Sequence, residues 1–416
     1  MVVITPEKYF EEVKPLVRHK LRHGLYSGIK TTEDIYLEYP GRDDAEKVKY
    51  FIKDAVETYG VGYVLLMGGR NGQTQEWDVP VRYIRLDDGY QYTEYLSDHY
   101  FADIYKNGVE FEDWDSDGDG LFAEWQQDPL DLEPDLCVGR LPCRNAGEVS
   151  NVVAKIIQYE NTAFGKAWSN RMLACAGDTF PGYGGVFEFE GEATCDVALG
   201  YMTGFDITRM YISNGNLTGP SNVISEVNQG YGLVMTRGRG VPYKVRVPQT
   251  SGEEIIIFHN DYLSRFTNKT EHPVCVLGQC FNAKFDLSRS NLIGPNIYEQ
   301  DCLPWCVAWG MVGVSEGGFV AVLSNSNSCY GVPGDANQNG IPDDAEKYGG
   351  FLAVEFFRLY GAEGMRTLGE IYRQTVANYV AAFNVKNNLY HCKSVTEWHL
   401  MGDPSLKVGG YAKTSQ

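Results

Sequence analysis

The chain has 416 residues, of which 43% are hydrophobic and 22% are charged, and this size and composition are typical of a globular protein with room for two domains. A formal net charge of −19 argues against nucleic acid or an anionic membrane surface as partner, since both require a basic face. No stretch approaches the ~18 apolar residues of a membrane helix. The first residues lack the pattern of a signal peptide, so we expect either an intracellular protein or one whose export signal was removed or is not part of this sequence. The balance favours a protein that collects cations or works outside the cell.

The first part of the chain alternates between helical and strand patterns. Apolar spacing predicts an amphipathic helix over 6–20 and a second helix over 43–59, whose acidic first turn suits the helix dipole. Residues 31–39 are predicted to form a turn and a short strand. Further strands are predicted over 61–67, 79–84 and 136–141. This alternation indicates an α/β fold.

The helix predicted over 148–159 connects two halves, and we place the boundary at residue 160. Residues 1–160 would form a smaller α/β subdomain, and residues 161–416 a larger one whose strand–helix rhythm favours a mostly parallel sheet. Its strands are predicted over 171–176, 233–236, 274–277 and 318–323. Its helices are predicted over 194–203, 223–229, 351–360 and 369–383.

The stretch VCVLGQCFNAKFD, residues 274–286, carries a cysteine at a chemically favoured place. Its apolar start predicts a buried parallel strand, which Gly278 ends, so Cys280 lies at the strand's carboxyl end. Ligands and reacting groups collect at that edge of an open α/β sheet. Cys275, inside the strand, would be a small apolar filler. Position alone leaves a buried structural cysteine as the alternative for Cys280.

An acidic loop, DWDSDGDGLFAE, covers residues 113–124 and matches a calcium-binding pattern. In one frame Asp113, Asp115 and Asp117 take positions 1, 3 and 5, and Glu124 takes position 12. A second frame begins at Asp115 and adds Asp119. So many carboxylates repel one another unless a divalent cation holds them, and the alternative is a solvated acidic loop.

A second loop, DANQNGIPDDAE, covers residues 335–346 and repeats this pattern with less charge. Its predicted ligands are Asp335, Asn337, Asn339, the Ile341 carbonyl, Asp343 and Glu346. Asparagine at positions 3 and 5 predicts a weaker Ca²⁺ site, with a dissociation constant of roughly 10⁻⁴–10⁻³ M. Neither loop has clear flanking helices, so both are predicted to stabilise surface segments.

The 10 cysteines are scattered, and the Cys302–Cys306 pair lacks a second pair at zinc spacing, so we exclude a zinc site. Disulfides are compatible with an extracellular location, but their connectivity is left open.

Taken in order, many segments resemble the gingipain family of cysteine peptidases, which has a caspase-like fold. The resemblance covers nearly the whole chain and includes ITPEKYFEEVKPLVRHKLRHG (4–24), YGVGYVLLMGG (59–69), SDHYFADI (97–104), PDLCVGRLPC (134–143), CFNAKFD (280–286), GGFVAVLSNSNSCYG (317–331) and EWHLMGDPSL (397–406). It implies a caspase-like α/β unit, a mostly parallel sheet flanked by helices, preceded by the smaller subdomain. It also implies an extracellular or cell-surface cysteine endopeptidase with protein or peptide substrates.

The family's chemistry is a cysteine–histidine dyad in which the thiolate attacks the scissile carbonyl and the histidine protonates the leaving amine. Cys280 matches the family cysteine. The histidine belongs in a Gly-His-Gly turn, and this chain has Gly238-Arg239-Gly240 there. Arginine stays protonated and cannot act as the base, although its charge can lower a thiol pKa. Substitute histidines are His99, His259 and His272, for each of which a packing or surface role is the alternative.

Family members that cleave after basic residues place an acid in the substrate pocket. By its offset from the VGR strand, Asp131 falls near that position, with Asp135 as the other candidate. The alternative for either is an acidic turn residue. Three hypotheses follow: a calcium-stabilised endopeptidase, a catalytically silent homologue that binds peptides or a partner, and a structural calcium-binding surface protein.

Overall fold

The computed structural model describes residues 1–71, 74–89, 93–183, 185–287 and 306–412. A ten-stranded sheet runs through this part of the chain, in the order β10-β9-β11-β15-β16-β17-β8-β3-β1-β2. Its strands are β1 (Val2–Thr5), β2 (Gly28–Thr31), β3 (Tyr63–Met67), β8 (Cys137–Leu141), β9 (Arg171–Ala176), β10 (Asp206–Tyr211), β11 (Leu233–Arg237), β15 (Val274–Gly278), β16 (Ala321–Asn325) and β17 (Trp398–Met401).

Every neighbouring pair in this sheet is parallel except β16 with β17. Because β17 is antiparallel to β16 and parallel to β8, the strands of the two halves run in opposite directions. Strands β8, β11, β15 and β16 are buried along their whole length, as apolar strands covered on both faces must be. The sheet contains strands from both sides of residue 160, and β17, from the end of the chain, lies between β16 and β8.

Helices cover the sheet. They are α1 (Phe10–Arg22), α2 (Thr32–Glu38), α3 (Asp44–Tyr59), α4 (Ala146–Thr162), α5 (Glu190–Gly200), α6 (Pro220–Val227), α7 (Val307–Gly313), α8 (Asp343–Glu346), α9 (Tyr348–Gly361), α10 (Leu368–Ala382) and α11 (Leu389–Thr396). Helix α1 packs against α4, and α9 packs against both α5 and α10. Short 3-10 helices lie at Glu7–Tyr9, Asp98–Phe101, Ala167–Asn170, Asn260–Arg265 and Val385–Asn387.

Small antiparallel sheets complete the described structure. One has three strands, β12 (Arg239–Val241), β13 (Lys244–Pro248) and β14 (Glu254–His259), and the others pair β4 (Tyr83–Arg85) with β5 (Glu94–Leu96) and β6 (Tyr105–Lys106) with β7 (Glu110–Phe111). No helix in the described ranges is long and apolar enough to cross a membrane.

The α/β class and the mostly parallel sheet predicted from sequence are confirmed. The short strand predicted within 31–39 is wrong for most of that stretch, which forms α2 after the strand β2. The physical reason is a capped helix start: the Thr31 side chain accepts a hydrogen bond from the Asp34 N–H, and Glu33 and Asp34 lie in the positive first turn. The strand predicted over 79–84 is shorter in the structure. Here β4 covers only Tyr83–Arg85 and pairs with the three-residue strand β5.

Candidate active site

Cys280 lies in the turn that follows β15, at the carboxyl edge of the second half's strands. The turn is sharp: Phe281 adopts a left-handed backbone with φ of 60°, and its N–H donates to the Asn327 carbonyl at 2.9 Å. The side chain of Thr236, at the end of the neighbouring strand β11, donates to Gln279 at 2.9 Å. The turn is therefore held on both sides by adjacent strand ends, and the thiol is presented above the sheet.

A cleft of about 280 Å³ opens at this thiol. Its wall is formed by the ends of β11, β15 and β16 together with the hairpin of β12 and β13. The lining residues are Thr179, Phe180, Arg237, Gly238, Arg239, Gly240, Arg246, Cys280, Phe281, Cys329, Tyr330 and Gly331. The charged side chains in this lining are all arginines.

Gly238 and Gly240 are required because the backbone is crowded on both sides of Arg239. A Cβ on Gly238 would lie 2.4 Å from the Arg246 carbonyl oxygen, and one on Gly240 would lie 2.3 Å from the Cys280 carbonyl oxygen. Only glycine allows the hairpin to pack directly on the cysteine turn. The structure thus brings Arg239 and Cys280, far apart in sequence, to the same cleft.

Arg237 forms the buried floor of the cleft. Its Nε donates to Asp344 Oδ2 at 2.6 Å, its Nη2 also pairs with Asp344, and its Nη1 donates to the Gly278 carbonyl at 2.7 Å. The Thr194 hydroxyl donates to the same carboxylate at 3.0 Å. Charge pairing with several hydrogen bonds satisfies a guanidinium and a carboxylate that are both removed from water. Asp344 lies inside the second acidic loop, so that loop is linked to the floor of the cleft.

The Cys280 thiol is poised to ionise near neutral pH. Its hydrogen bonding with Cys329, which includes a Cys329 N–H donated to Sγ at 3.3 Å, together with the positive charges of Arg237 and Lys393, lowers its pKa to about 7 against the opposing effect of burial. A thiolate, rather than a thiol, is the nucleophile in cysteine chemistry. The site therefore provides an activated sulfur.

Arg239 lines the cleft beside Cys280 but is loosely fixed. Its side chain is 47% exposed, and Nη1 lies 3.6 Å from Glu254 Oε1. Arg246 pairs more closely with the same carboxylate. Arg239 and Arg246 therefore share Glu254, and the Asp178 carboxylate also lies within electrostatic reach of Arg239.

All seven histidines of the chain lie in described ranges, and none lines the cleft. His272 is buried, and loss of solvation lowers its pKa to about 3. His99 is buried beside the Leu132 carbonyl, and burial lowers its pKa to about 4. His259 ends β14, where its ring accepts from the Asp261 N–H at 3.1 Å. None of the proposed substitutes reaches the thiol as a base.

Asp131 lies away from this cleft. It is buried, and its carboxylate accepts from the backbone N–H groups of Asn107 at 2.8 Å and Glu133 at 3.0 Å. One of its oxygens lies within 4.8 Å of oxygens from Asp103 and Glu112. Among the described residues Asp131 is thus part of a buried carboxylate cluster and not of the wall around Cys280. Asp135 instead accepts from Ile104 and Tyr105 N–H groups.

The two acidic loops share one hydrogen-bond pattern. Asp335 accepts from the Asn339 and Gly340 N–H groups, and Asp115 accepts from the Asp119 and Gly120 N–H groups at 3.0 and 3.2 Å. The next turn also repeats: Ile341 N–H donates to Asn339 in one loop, and Leu121 N–H donates to Asp119 in the other. Asp115 therefore corresponds to Asp335, which selects the second frame.

This correspondence moves two predicted ligands of the first loop. Arg42 forms ion pairs with both Asp113 and Asp115, so it does not separate the two; Asp113 lies outside the shared pattern because it precedes Asp115 by two residues. Glu124 falls at position 10 instead of 12, and its N–H donates to Asp128 at 3.0 Å. Asp128, outside the predicted window, joins Asp115 and Asp117, with oxygens within 4.8 Å of one another.

In the second loop the predicted side chains converge. The amide groups of Asn337 and Asn339 both lie against the Glu346 carboxylate, at 2.9 and 2.7 Å. Asp343 closes the loop by accepting from the Ala336 N–H at 3.0 Å. Carboxylate, amide and carbonyl oxygens such as those of this loop are the ligand type that a hard cation such as Ca²⁺ prefers.

Sequence reasoning missed Arg237, Asp344, Cys329 and Asp128. Cys329 follows β16 as Cys280 follows β15, so the strand-end rule that selected Cys280 could have found it. Arg237 directly precedes Gly238 but carries no motif of its own. Asp128 lies beyond the span of a 12-residue loop, and only folding brings it back.

The geometry agrees with comparisons to known proteins. Residues 1–409 match the model of peptidase family C25, so the chain belongs to that family. Gingipain R2 of Porphyromonas gingivalis (strain W83) is 21% identical over 98% of this chain, and gingipain R1 of the same species is 22% identical over 98%. The chain spans 46% and 34% of the lengths of these two relatives.

Solved structures support the same fold. The crystal structure of the Arg-specific cysteine proteinase gingipain R superposes with a TM-score of 0.69 at 19% identity, covering 98% of this chain and 78% of the other. A second structure, described only as a protease, gives a TM-score of 0.64 at 16% identity, covering 100% and 80%. The chain therefore has the caspase-like fold of a gingipain-type cysteine peptidase. The fold and family predicted from sequence are confirmed.

Proposed function

We propose that the cleft at Cys280 binds peptide segments of proteins and that Cys280 is a reactive thiolate without the imidazole partner that rapid peptide hydrolysis requires. The absence of a histidine among the described cleft residues carries this proposal. The thiolate can add to a carbonyl, but the leaving amine needs a proton that Arg239 cannot deliver. The chain would then act mainly as a peptide- or partner-binding homologue of its family.

The test is cleavage of a fluorogenic peptide panel with arginine, lysine, aspartate or leucine at P1. The proteins are the native chain, Cys280→Ala and Arg239→His, with Arg246→His as a matched control because it also adds a histidine to the cleft. We expect little cleavage by the native chain and a gain of ~10²–10⁴-fold in Arg239→His alone, the usual contribution of general acid–base catalysis. Turnover by the native chain as fast as that of Arg239→His would overturn the proposal.

The second candidate is an active endopeptidase, the activity of the family. The lowered pKa of Cys280 favours it, since the nucleophile is already prepared. It predicts rapid cleavage by the native chain that is lost in Cys280→Ala. In that case another group must supply the proton.

We also propose that the two acidic loops, residues 115–128 and 335–346, bind Ca²⁺. The repeated hydrogen-bond pattern and the converging oxygen groups support this. The first loop would use Asp115, Asp117, Asp119 and Asp128, and the second Asp335, Asn337, Asn339, Asp343, Glu346 and the Ile341 carbonyl. Bound calcium would neutralise carboxylates that otherwise repel one another, and so stabilise the fold.

Thermal unfolding with CaCl₂ or a chelator tests the calcium proposal. A site filled at 100 times its dissociation constant adds ~2.7 kcal/mol to the free energy of unfolding. We expect Ca²⁺ to raise the Tm of the native chain, and Asp115→Asn and Asp335→Asn each to remove part of that increase. Asp34→Asn, an exposed carboxylate on α2, is the control. An unchanged Tm of the native chain on adding Ca²⁺ would contradict the proposal.

We propose an extracellular or cell-surface location. Weak calcium loops support it, since free Ca²⁺ is more abundant outside cells, and so does the net charge of −19, which suits cation binding. The same charge leads us to propose proteins or peptides, and not nucleic acid, as partners.

A further inference from the structure

Two cysteines, not one, reach the cleft. Strands β15 and β16 are parallel neighbours in register, with Val276 opposite Leu323. Cys280 follows the first strand and Cys329 follows the second, so both thiols emerge from the same edge of the sheet. Both are free and partly exposed.

The Cys280 sulfur lies against the backbone of Cys329. It is 3.3 Å from the Cys329 nitrogen, which donates to it, and 3.5 Å from the Cys329 carbonyl oxygen. The Cys329 side chain leaves the carbon between that nitrogen and that carbonyl, so the Cys280 sulfur contacts the residue that carries the second thiol on both sides of its Cα. A disulfide needs Cα atoms within ~4.4–6.8 Å of each other, and a sulfur in contact with the backbone of the second cysteine is the kind of approach that this requires.

The other described cysteines differ from this pair. Each is buried, and burial raises its pKa, so each remains a protonated filler; they are Cys137, Cys143, Cys175, Cys195, Cys275, Cys306 and Cys392. Cys280 is the thiol with a lowered pKa, and hydrogen bonding to it, with burial, raises the pKa of Cys329. One partner is thus a ready nucleophile and the other a resolving thiol beside it.

We propose that Cys280 and Cys329 form a reversible disulfide under oxidising conditions. This modification blocks the nucleophilic sulfur of the cleft. A low-molecular-weight disulfide is the oxidant. The Cys280 thiolate attacks one of its sulfurs, forms a mixed disulfide and releases the first small thiolate. The Cys329 thiol loses its proton to solvent and attacks the Cys280 sulfur, releasing the second. The protein loses two electrons and two protons, and the oxidant becomes two thiols.

The pairing has a consequence for the proposed function but does not depend on it. While the disulfide is formed, Cys280 has no thiolate to add to a peptide carbonyl. Formation of the bond needs only the two sulfurs and an oxidant, whether or not the chain hydrolyses peptides. Its test therefore reads sulfur chemistry and not cleavage.

The experiment equilibrates the full chain in mixtures of oxidised and reduced glutathione, then alkylates it without denaturation and maps the peptides by mass spectrometry. We expect loss of alkylation at Cys280 as the mixture becomes more oxidising, a cross-linked peptide joining Cys280 to Cys329, and full recovery after dithiothreitol. Cys329→Ser is the matched variant, since it keeps the backbone N–H that contacts Cys280. In it we expect the glutathione adduct to accumulate on Cys280.

Two results would overturn the proposal. One is a native chain in which Cys280 can still be alkylated under oxidising conditions, or in which it carries a stable glutathione adduct as expected for Cys329→Ser. The other is a cross-link from Cys280 to a different cysteine, including Cys302, which lies outside the described residues. Circular dichroism of the native and variant chains checks that both are folded, so that a negative result counts against the pairing itself.

Discussion

Arg237 and Arg239 are separated by one glycine, yet the first side chain is buried and the second is about half exposed. The Arg237 side chain is 2% exposed and is held by Asp344, which is fully buried. The Arg239 side chain is 47% exposed and only approaches Glu254. The same residue type is thus a structural ion pair at the end of β11 and a partly exposed surface charge at the start of β12. Position 239 can therefore change identity at little cost to folding, whereas position 237 cannot.

The largest expected effect comes from breaking the buried pair. Asp344→Ala leaves the Arg237 guanidinium buried without its counter-charge, and removing one partner of such a pair costs ~3–5 kcal/mol. We expect denaturant unfolding to show a loss of that order. Glu254→Ala is the control and should cost no more than ~1 kcal/mol, as for partly exposed pairs. Equal losses in both variants would refute the contrast.

A smaller effect should separate the two arginines in the chemistry of Cys280. The rate of thiol alkylation should rise with pH with a midpoint near the thiol pKa of about 7, because the thiolate forms as pH increases. The double variant Arg237→Met with Asp344→Leu removes a cation near the sulfur without leaving an unpaired charge, so the midpoint should move to higher pH. Arg239→Met should leave it in place. A shift in Arg239→Met alone would mean that the exposed arginine holds the thiolate.

The smallest expected effect is on stability at position 239. Arg239→Ala removes an exposed, loosely paired side chain, and such pairs contribute ~0–1 kcal/mol. The midpoint of urea unfolding should therefore stay close to that of the native chain. A large loss would show that Arg239 supports the hairpin, and would weaken the view that the family histidine was replaced without structural cost.

The sequence predicted much of the site because its signals are local. An apolar run ended by glycine identifies β15 and places Cys280 at the strand's end. Alternating acids with glycine identify both loops. The helix at 32–38 was missed because the prediction rested on apolar spacing, although Thr31 and Asp34 carry the capping signal of this helix. Asp131 was assigned by offset alone, and offset does not report which cluster a carboxylate joins.

The sequence by itself determined the α/β class and the family, since periodicity, turn residues and motif order are written along the chain. Only the tertiary structure decided the pairing of Arg237 with Asp344, the return of Asp128 to the first loop and the contact of Cys280 with Cys329. The separations along the chain are 107 positions for Arg237 and Asp344, 13 for Asp115 and Asp128, and 49 for Cys280 and Cys329. Such separations leave no local signal. The folded chain brings Asp344 of α8 to Arg237 and Asp128 back to the first loop, and the neighbouring strands β15 and β16 bring Cys280 and Cys329 together.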